Sequence, residues 1–165
     1  MTRTGARVSI GDGGGSNVAT GVAVLDHLLA QLAETGGFEL HLEIAPAEPE
    51  AEVGAAGTAL GEALAPLLSG DGAGRGVGIV SADEALAMVV LEASGSPLVA
   101  SNADLTATRA GGLQTDLAAV FLQSLADAAG LTIHVRLMEG EDSQHVLSAI
   151  FKALGVALAQ ACTEP

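Results

Sequence analysis

Aromatic residues are nearly missing from this chain. It has no Trp, no Tyr and three Phe, so its core has to be assembled from Ala, Val, Leu and Ile. The apolar fraction, 49 %, is sufficient for that. Cys162 is the only cysteine, which excludes an intrachain disulfide framework. Cations are scarce as well: 6 Lys and Arg stand against 20 Asp and Glu, for a net charge of −14. A surface of that sign repels phosphate backbones, so nucleic acid is not an expected partner. Solubility alone accounts for the charge. No basic-then-apolar leader follows Met1, and no apolar run reads as long enough to cross a bilayer. The expectation is a soluble, cytoplasmic protein with no membrane partner. CxxC, HExxH and the dinucleotide fingerprint are absent. The glycine-rich GDGGGS at Gly11 to Ser16 lacks the Lys-Ser/Thr of a phosphate-binding loop and reads as a turn.

What is present is periodicity. With 165 residues the prior is one domain. Arg7 to Ile10 reads as a strand, Thr20 to Thr35 as a helix stopped by Gly36-Gly37, and Phe38 to Ile44 as a half-buried strand of alternating character. Val53 to Leu68 follows as a helix, then a glycine-rich connector over Gly70 to Gly78. Glu48, Glu50 and Glu52 alternate along what reads as an extended segment. Ile79 to Val80 and Ala87 to Glu92 read as strands around an Asp83-Glu84 turn, with Leu98 to Ala100 and Leu105 to Thr108 as two more. Thr115 to Ala129 is a helix and Leu131 to Leu137 a strand. Gly140 to Gln160 is a final amphipathic helix, with Asp142 or Ser143 as N-cap and a stripe of Val146, Ile150, Leu154 and Leu158.

The two halves echo each other. ALGEALA from Ala59 matches ALGVALA from Ala153 at six of seven positions, 94 residues apart. ELHLEI from Glu39 pairs with TIHVRL from Thr132, 93 residues apart. Two matches in the same order at nearly one offset indicate a duplicated α+β unit, with pseudo-repeats over about 1–72 and 73–165. Paired sheets with helices packed between them would bury both apolar helix faces.

Four histidines carry the candidate chemistry. His41 alternates with Leu40 and Leu42 and is expected to face solvent. His27, His134 and His145 sit on separate elements. They either converge on a metal or are three unrelated polar positions, and spacing alone favours the second. Gln144, His145 and Ser148 share one end of the last helix at ligand spacing.

TGVAVLDHLLAQLAETGGFEL, from Thr20 to Leu40, resembles the N-terminal signature of the imidazoleglycerol-phosphate dehydratases of histidine biosynthesis. The resemblance continues through ADEALA at Ala82, ASGSP at Ala93, LQTDLAAVF at Leu113, LTIHVRLMEG at Leu131 and GEDSQHVLSAIFKA at Gly140. It implies the duplicated α+β fold of that family, of the ribosomal protein S5 domain 2 type. It also implies a hydro-lyase site in which two manganese ions, bound by His and Glu, hold a substrate imidazole while a base removes a carbon-bound proton.

Taken position by position, the resemblance places eight metal ligands. Three keep the family residue: His27, His134 and His145. The first His-His pair falls on Glu50 and Ala51, and the Glu after it on Gly54. The second His-His pair falls on Gln144 and His145, and the last Glu on Ser148. Glu50, His134, Gln144 and Ser148 would make one site, and His27, Ala51, Gly54 and His145 the other. Glu50, His27, His134 and His145 are therefore remnant metal positions, and any manganese binding is expected to be weak. Lys152 matches a phosphate-contacting Lys. Ser96 stands where the family has Arg, a second Arg before ADEALA is missing, and Gly5 or Ala6 stands at an acidic position.

The expectation is a catalytically inactive member that keeps the fold and a large, shell-like homo-oligomeric assembly. An authentic dehydratase paralogue is a further candidate partner. The alternatives are changed chemistry in a remodelled pocket, or residual conversion of imidazole glycerol phosphate to imidazole acetol phosphate.

Overall fold

The computed structural model describes residues 4–10, 16–68, 74–102, 109–110 and 113–162. Two mixed sheets enclose four helices. The first sheet has strand order β1-β3-β2. In it β1 (Gly5–Ile10) runs antiparallel to β3 (Phe38–Glu43), and β2 (Ser16–Ala19) runs parallel to β3. The second sheet has order β4-β5-β9-β6. There β4 (Arg75–Ala82), β5 (Ala85–Glu92) and β9 (Thr132–Glu139) alternate in direction, and β6 (Leu98–Ser101) runs parallel to β9. Two short strands, β7 (Arg109–Ala110) and β8 (Leu113–Gln114), pair with each other. The helices are α1 (Ala23–Gly36), α2 (Pro49–Leu64), α3 (Thr115–Ala129) and α4 (Ser143–Cys162), with a 3₁₀ turn over Ala65–Leu68. Each central strand, β3 or β9, has one antiparallel and one parallel neighbour, follows one helix and precedes another. Connectivity thus repeats where the sequence does.

α4 lies between α1 and the second sheet. Its buried face is wider than the four-residue stripe read from the sequence. It takes in Leu147, Ile150, Phe151, Leu154 and Leu158, with alanines between them. Phe121 and Phe151 meet at a centroid distance of 5.5 Å. With so few aromatics, close approach of backbones replaces bulky side chains. Gly76 and Gly78 lie on the inner face of β4, where an added Cβ would overlap the carbonyl oxygens of Ala157 and Ala153. Gly76 and Gly78, expected in a connector, are thus strand residues that let α4 sit directly on β4, while residues 70–73 of that connector lie outside the described residues.

Other departures have local causes. The first helix begins at Ala23 rather than Thr20, because Gly21 takes φ +88°. β2 has no counterpart in the sequence reading, since SNVA is short and half polar. The second helix starts at Pro49, not Val53, so Glu50 and Glu52 lie in its first turn instead of an extended segment. Proline suits that position, having no N–H to leave unpaired, and acids there face the positive end of the helix dipole. β4 spans Arg75–Ala82, not the pair of residues expected. The strand expected at Leu105 to Thr108 lies outside the described residues, as do residues 11–15 of the glycine-rich turn. By length and composition alone α4 is apolar enough to cross a membrane, contrary to the sequence reading, but 67 % of its apolar window is buried inside the fold. It is built as a core helix.

Candidate functional site

The start of α1 is fixed by Thr20. Its backbone N–H and its hydroxyl both donate to Asp26 Oδ1, at 2.8 and 2.5 Å, and the residue is fully buried. Asp26 is thereby locked, and the next residue, His27, projects from the exposed side of the helix. At the start of α4, Asp142 acts as the N-cap: its Oδ1 accepts from the N–H groups of Gln144 and His145 at 2.9 and 3.2 Å. Asp142 and Ser143 were the two N-cap candidates in the sequence.

Between these helix starts lies a cavity of about 500 Å³. His27, Gln31, Gln144, His145 and Ser148 line it together with Asp83 from the β4–β5 turn. Ala23, Val24, Leu28 and Leu147 form its apolar wall. Positions four apart on each helix face one another here: His27 and Gln31 from α1 meet Gln144 and Ser148 from α4. The Ser148 hydroxyl donates to Gln31 Oε1 at 3.0 Å. One turn further on, the Thr35 hydroxyl donates to the Lys152 carbonyl at 2.9 Å.

His145 is held from the β4–β5 turn. Its Nδ1 lies 2.5 Å from Glu84 Oε1, its Nε2 lies 3.3 Å from Asp83 Oδ2, and Asp142 Oδ1 is 4.0 Å away. Glu84 also accepts, through Oε2, from the N–H groups of Asp142 and Glu141 at 3.0 and 3.3 Å. Those donors, the Asp142 amide first, then its own amide and His145, hold the Glu84 carboxyl down at about 2. Glu84 in turn raises His145 above its ordinary 6.5, with the charges of Asp142, Glu84 and Asp83 adding to it. Asp83 is the only non-glycine residue at positive φ (52°) among the described residues, a strained backbone state that aims the turn at the helix start.

Glu84's contribution to stability is present above about 4.5 and is lost as pH falls towards 2. The contribution of His145 is complete below 6.5 and is lost as pH rises through its folded value. Glu84→Gln should return the His145 titration midpoint towards the ordinary histidine value, read by NMR of the imidazole protons. An unchanged midpoint would show that the raised value has another source.

His27 and His145 are thus brought together, with Gln144 and Ser148. Glu50 and His134 are not. Glu50 is exposed on the first turn of α2, and His134 points outward from β9, level with Val90 and Ala100 on the neighbouring strands. His41 lies half-exposed beside Glu39 at 3.3 Å. Lys152 is half-buried on α4 outside the cavity lining. Among the described residues, no three or more His, Cys, Asp or Glu are grouped so as to hold a metal ion within one chain. The sequence reading missed Gln31, Asp83, Glu84 and Asp142 as parts of the site. Asp83 and Glu84 were visible only as turn residues, and Gln31 only as one polar position on an amphipathic helix.

Two mixed sheets clasping paired helices, with a polar cavity where α1 and α4 begin, define a duplicated α+β protein whose site is built at helix starts. The imidazoleglycerol-phosphate dehydratase family model matches residues 20–158. The chain is 38 % identical to the dehydratase of Moorella thermoacetica, over 98 % of this chain and 86 % of that one. Its structure resembles that of the Staphylococcus aureus dehydratase at a TM-score of 0.86, with 29 % identity and full coverage of both chains. For the Pyrococcus furiosus dehydratase the TM-score is 0.81, with 27 % identity over 100 % of this chain and 94 % of the other. The chain belongs to the imidazoleglycerol-phosphate dehydratase family of histidine biosynthesis.

Proposed function

We propose that this protein keeps the scaffold and self-assembly of its family and does not carry out the dinuclear-metal dehydration. The observation that supports this reading most strongly is the donor set of the cavity. Where the resemblance asks for a carboxylate, Ser148 presents a hydroxyl already turned to Gln31. Gln144 offers a neutral amide beside it, leaving His27 and His145 as the two strong donors. At the repeat-related positions, Ala51 and Gly54 carry no side-chain donor at all. Manganese prefers a nearly full set of nitrogen and oxygen ligands, and these residues do not fit it. Glu84 still orients His145 in the way an outer carboxylate orients a metal-bound histidine. Orientation without the remaining ligands does not make a site.

Self-association has separate support. Among the described residues, the exposed large apolar ones, Val77, Ile79, Leu98 and Met138, all belong to the second sheet. Val77 and Ile79 are alternate residues on the outer face of the edge strand β4, and apolar exposure there supports a contact face. A family member that assembles without the metal pair would act as a structural or regulatory subunit, with copies of itself or with a complete dehydratase.

Expressed in a bacterium lacking its own dehydratase, the protein should leave growth dependent on added histidine. Growth without histidine would contradict the reading.

A further inference from the structure

β4 is an edge strand without the usual guards. On one side it pairs with β5 in unbroken register from Arg75 to Ala82, and among the described residues no strand lies on the other. Native proteins keep such edges short, bend them with bulges or place Lys or Pro on them, because unpaired N–H and C=O groups template pairing with another chain. β4 is eight residues long, RGVGIVSA, with no Lys, no Pro and no charge after Arg75. The other edges of the two main sheets are shorter, six residues in β1 and four in β2 and β6. The two-residue turn at Asp83-Glu84 makes Ala82 and Ala85 a hydrogen-bonded pair, and bonding alternates from there. The backbone groups of Arg75, Val77, Ile79 and Ser81 therefore point away from β5. Val77 shows the phase, since its N–H donates outward to Gln160 Oε1 at 3.0 Å. Among the described residues no side chain covers the N–H groups of Ile79 and Ser81 in that way. Alternate side chains on the outer face leave Ile79 57 % and Val77 42 % exposed.

This edge is complementary to itself. A two-fold axis through Gly78 sets Val77 opposite Ile79 and Arg75 opposite Ser81, in both directions, and every outward N–H then meets an outward C=O. β-Branched side chains facing each other across strands are a favourable pair. The ends match in charge: Arg75 lies diagonal to Asp83 of the second copy, within reach of a long side chain. Arg75 holds Glu92 at 3.2 Å in its own chain, yet its side chain stays 79 % exposed and free to turn. We propose that two copies of this chain join through β4, antiparallel and centred on Gly78, so that two four-stranded sheets become one continuous sheet. The contact uses the same surface on both copies and closes on itself. The Val77 N–H exchanges Gln160 for the Ile79 carbonyl of the second copy. The proposal deepens the self-association reading above and rests on it.

Amide hydrogen exchange at Ile79 and Ser81 is the direct test. In a lone chain both N–H groups face water. In the joined strand both are bonded, and their exchange should slow about a hundredfold or more as protein concentration rises. Ile79→Lys buries a charge in the contact and should remove the protection of Ser81. In sedimentation velocity it should weaken association about tenfold or more. Ile79→Pro deletes an outward N–H and leaves the β5 pairing intact, so it should act in the same direction. Met138→Lys, exposed on the same sheet but on β9, should change neither readout. An assembled protein whose Ile79 and Ser81 amides exchange as in dilute chain overturns the proposal and leaves self-association standing. So does an Ile79→Lys variant that associates as the parent does. A chain that stays monomeric at every concentration overturns the self-association reading, and the proposal falls with it.

Discussion

Five replacements should return a metal centre to this scaffold: Glu50→His, Ala51→His, Gly54→Glu, Gln144→His and Ser148→Glu. Each puts a nitrogen or carboxylate donor at a position where the family resemblance places one. The backbone is ready for them. A side chain started at Gly54 finds Ser124 Oγ at 3.6 Å and Val120 Cγ1 at 3.8 Å, ordinary contacts with no backbone in the way. Glu50 and Ala51 are exposed, and Ser148 has only its bond to Gln31 to give up. Positions 50, 51, 54 and 134 lie away from the α1–α4 cavity of the same chain, so the two centres can close only where copies meet. The assembled combined variant should bind about two manganese ions per chain, with proton release as the new histidines and carboxylates are engaged. Single replacements should bind little, because no single change completes a coordination sphere. Calorimetric titration checks both points. The base and phosphate-contact positions remain altered, so metal binding rather than turnover is the readout.

Gly76→Ala should be among the most damaging single changes in the molecule. An alanine Cβ there would overlap the Ala157 carbonyl oxygen, and the obstacle is helix backbone that cannot rotate aside. α4 would have to lift from β4, opening the core around Leu154 and Leu158. The expected loss is about 3 kcal/mol or more, a fall in Tm of about 10 °C. Gly54→Ala is the control. It sits in a helix with room for a methyl group, so it should be neutral or stabilising by up to about 1 kcal/mol. Thermal unfolding followed by circular dichroism separates the two. Equal effects would mean that glycine content, rather than close approach, sets the stability of the α4–β4 contact.

Those two glycines also show where the sequence can be read and where it cannot. Strand alternation in FELHLE, the helix stop at Gly36-Gly37 and the Asp142 cap are local signals, and the structure realises each of them. The repeat of ALGEALA and ALGVALA shows in the matching placement of α2 and α4 after their strands. Gly76 and Gly78 carry no such signal: a glycine that ends an element and a glycine that admits a helix look identical until the helix is in place. β2 was illegible because four residues pairing parallel to a distant strand have no turn to announce them. The apolar stripe of α4 was legible only in part, because a helix covered by a sheet and by α1 buries more than one face. At the site, the resemblance puts His27 with His145 and assigns Gln144 and Ser148 to the other metal site, while helix spacing puts Gln144, His145 and Ser148 at one end of α4. The structure brings all four to one cavity. Asp83 and Glu84 are 62 and 61 residues from His145 in sequence, and their contact with it depends on how the β4–β5 turn meets the helix start. Glu50 and His134 lie on other surfaces of the chain, which spacing along one sequence does not reveal.

The most direct test of the central claim, that the scaffold is kept and the dinuclear centre is not, is the metal content of the unaltered protein. It should be purified from cells grown with added manganese, dialysed, and analysed by plasma mass spectrometry. The prediction is a folded protein with less than about a tenth of an ion per chain. About two tightly held manganese ions per chain would contradict it.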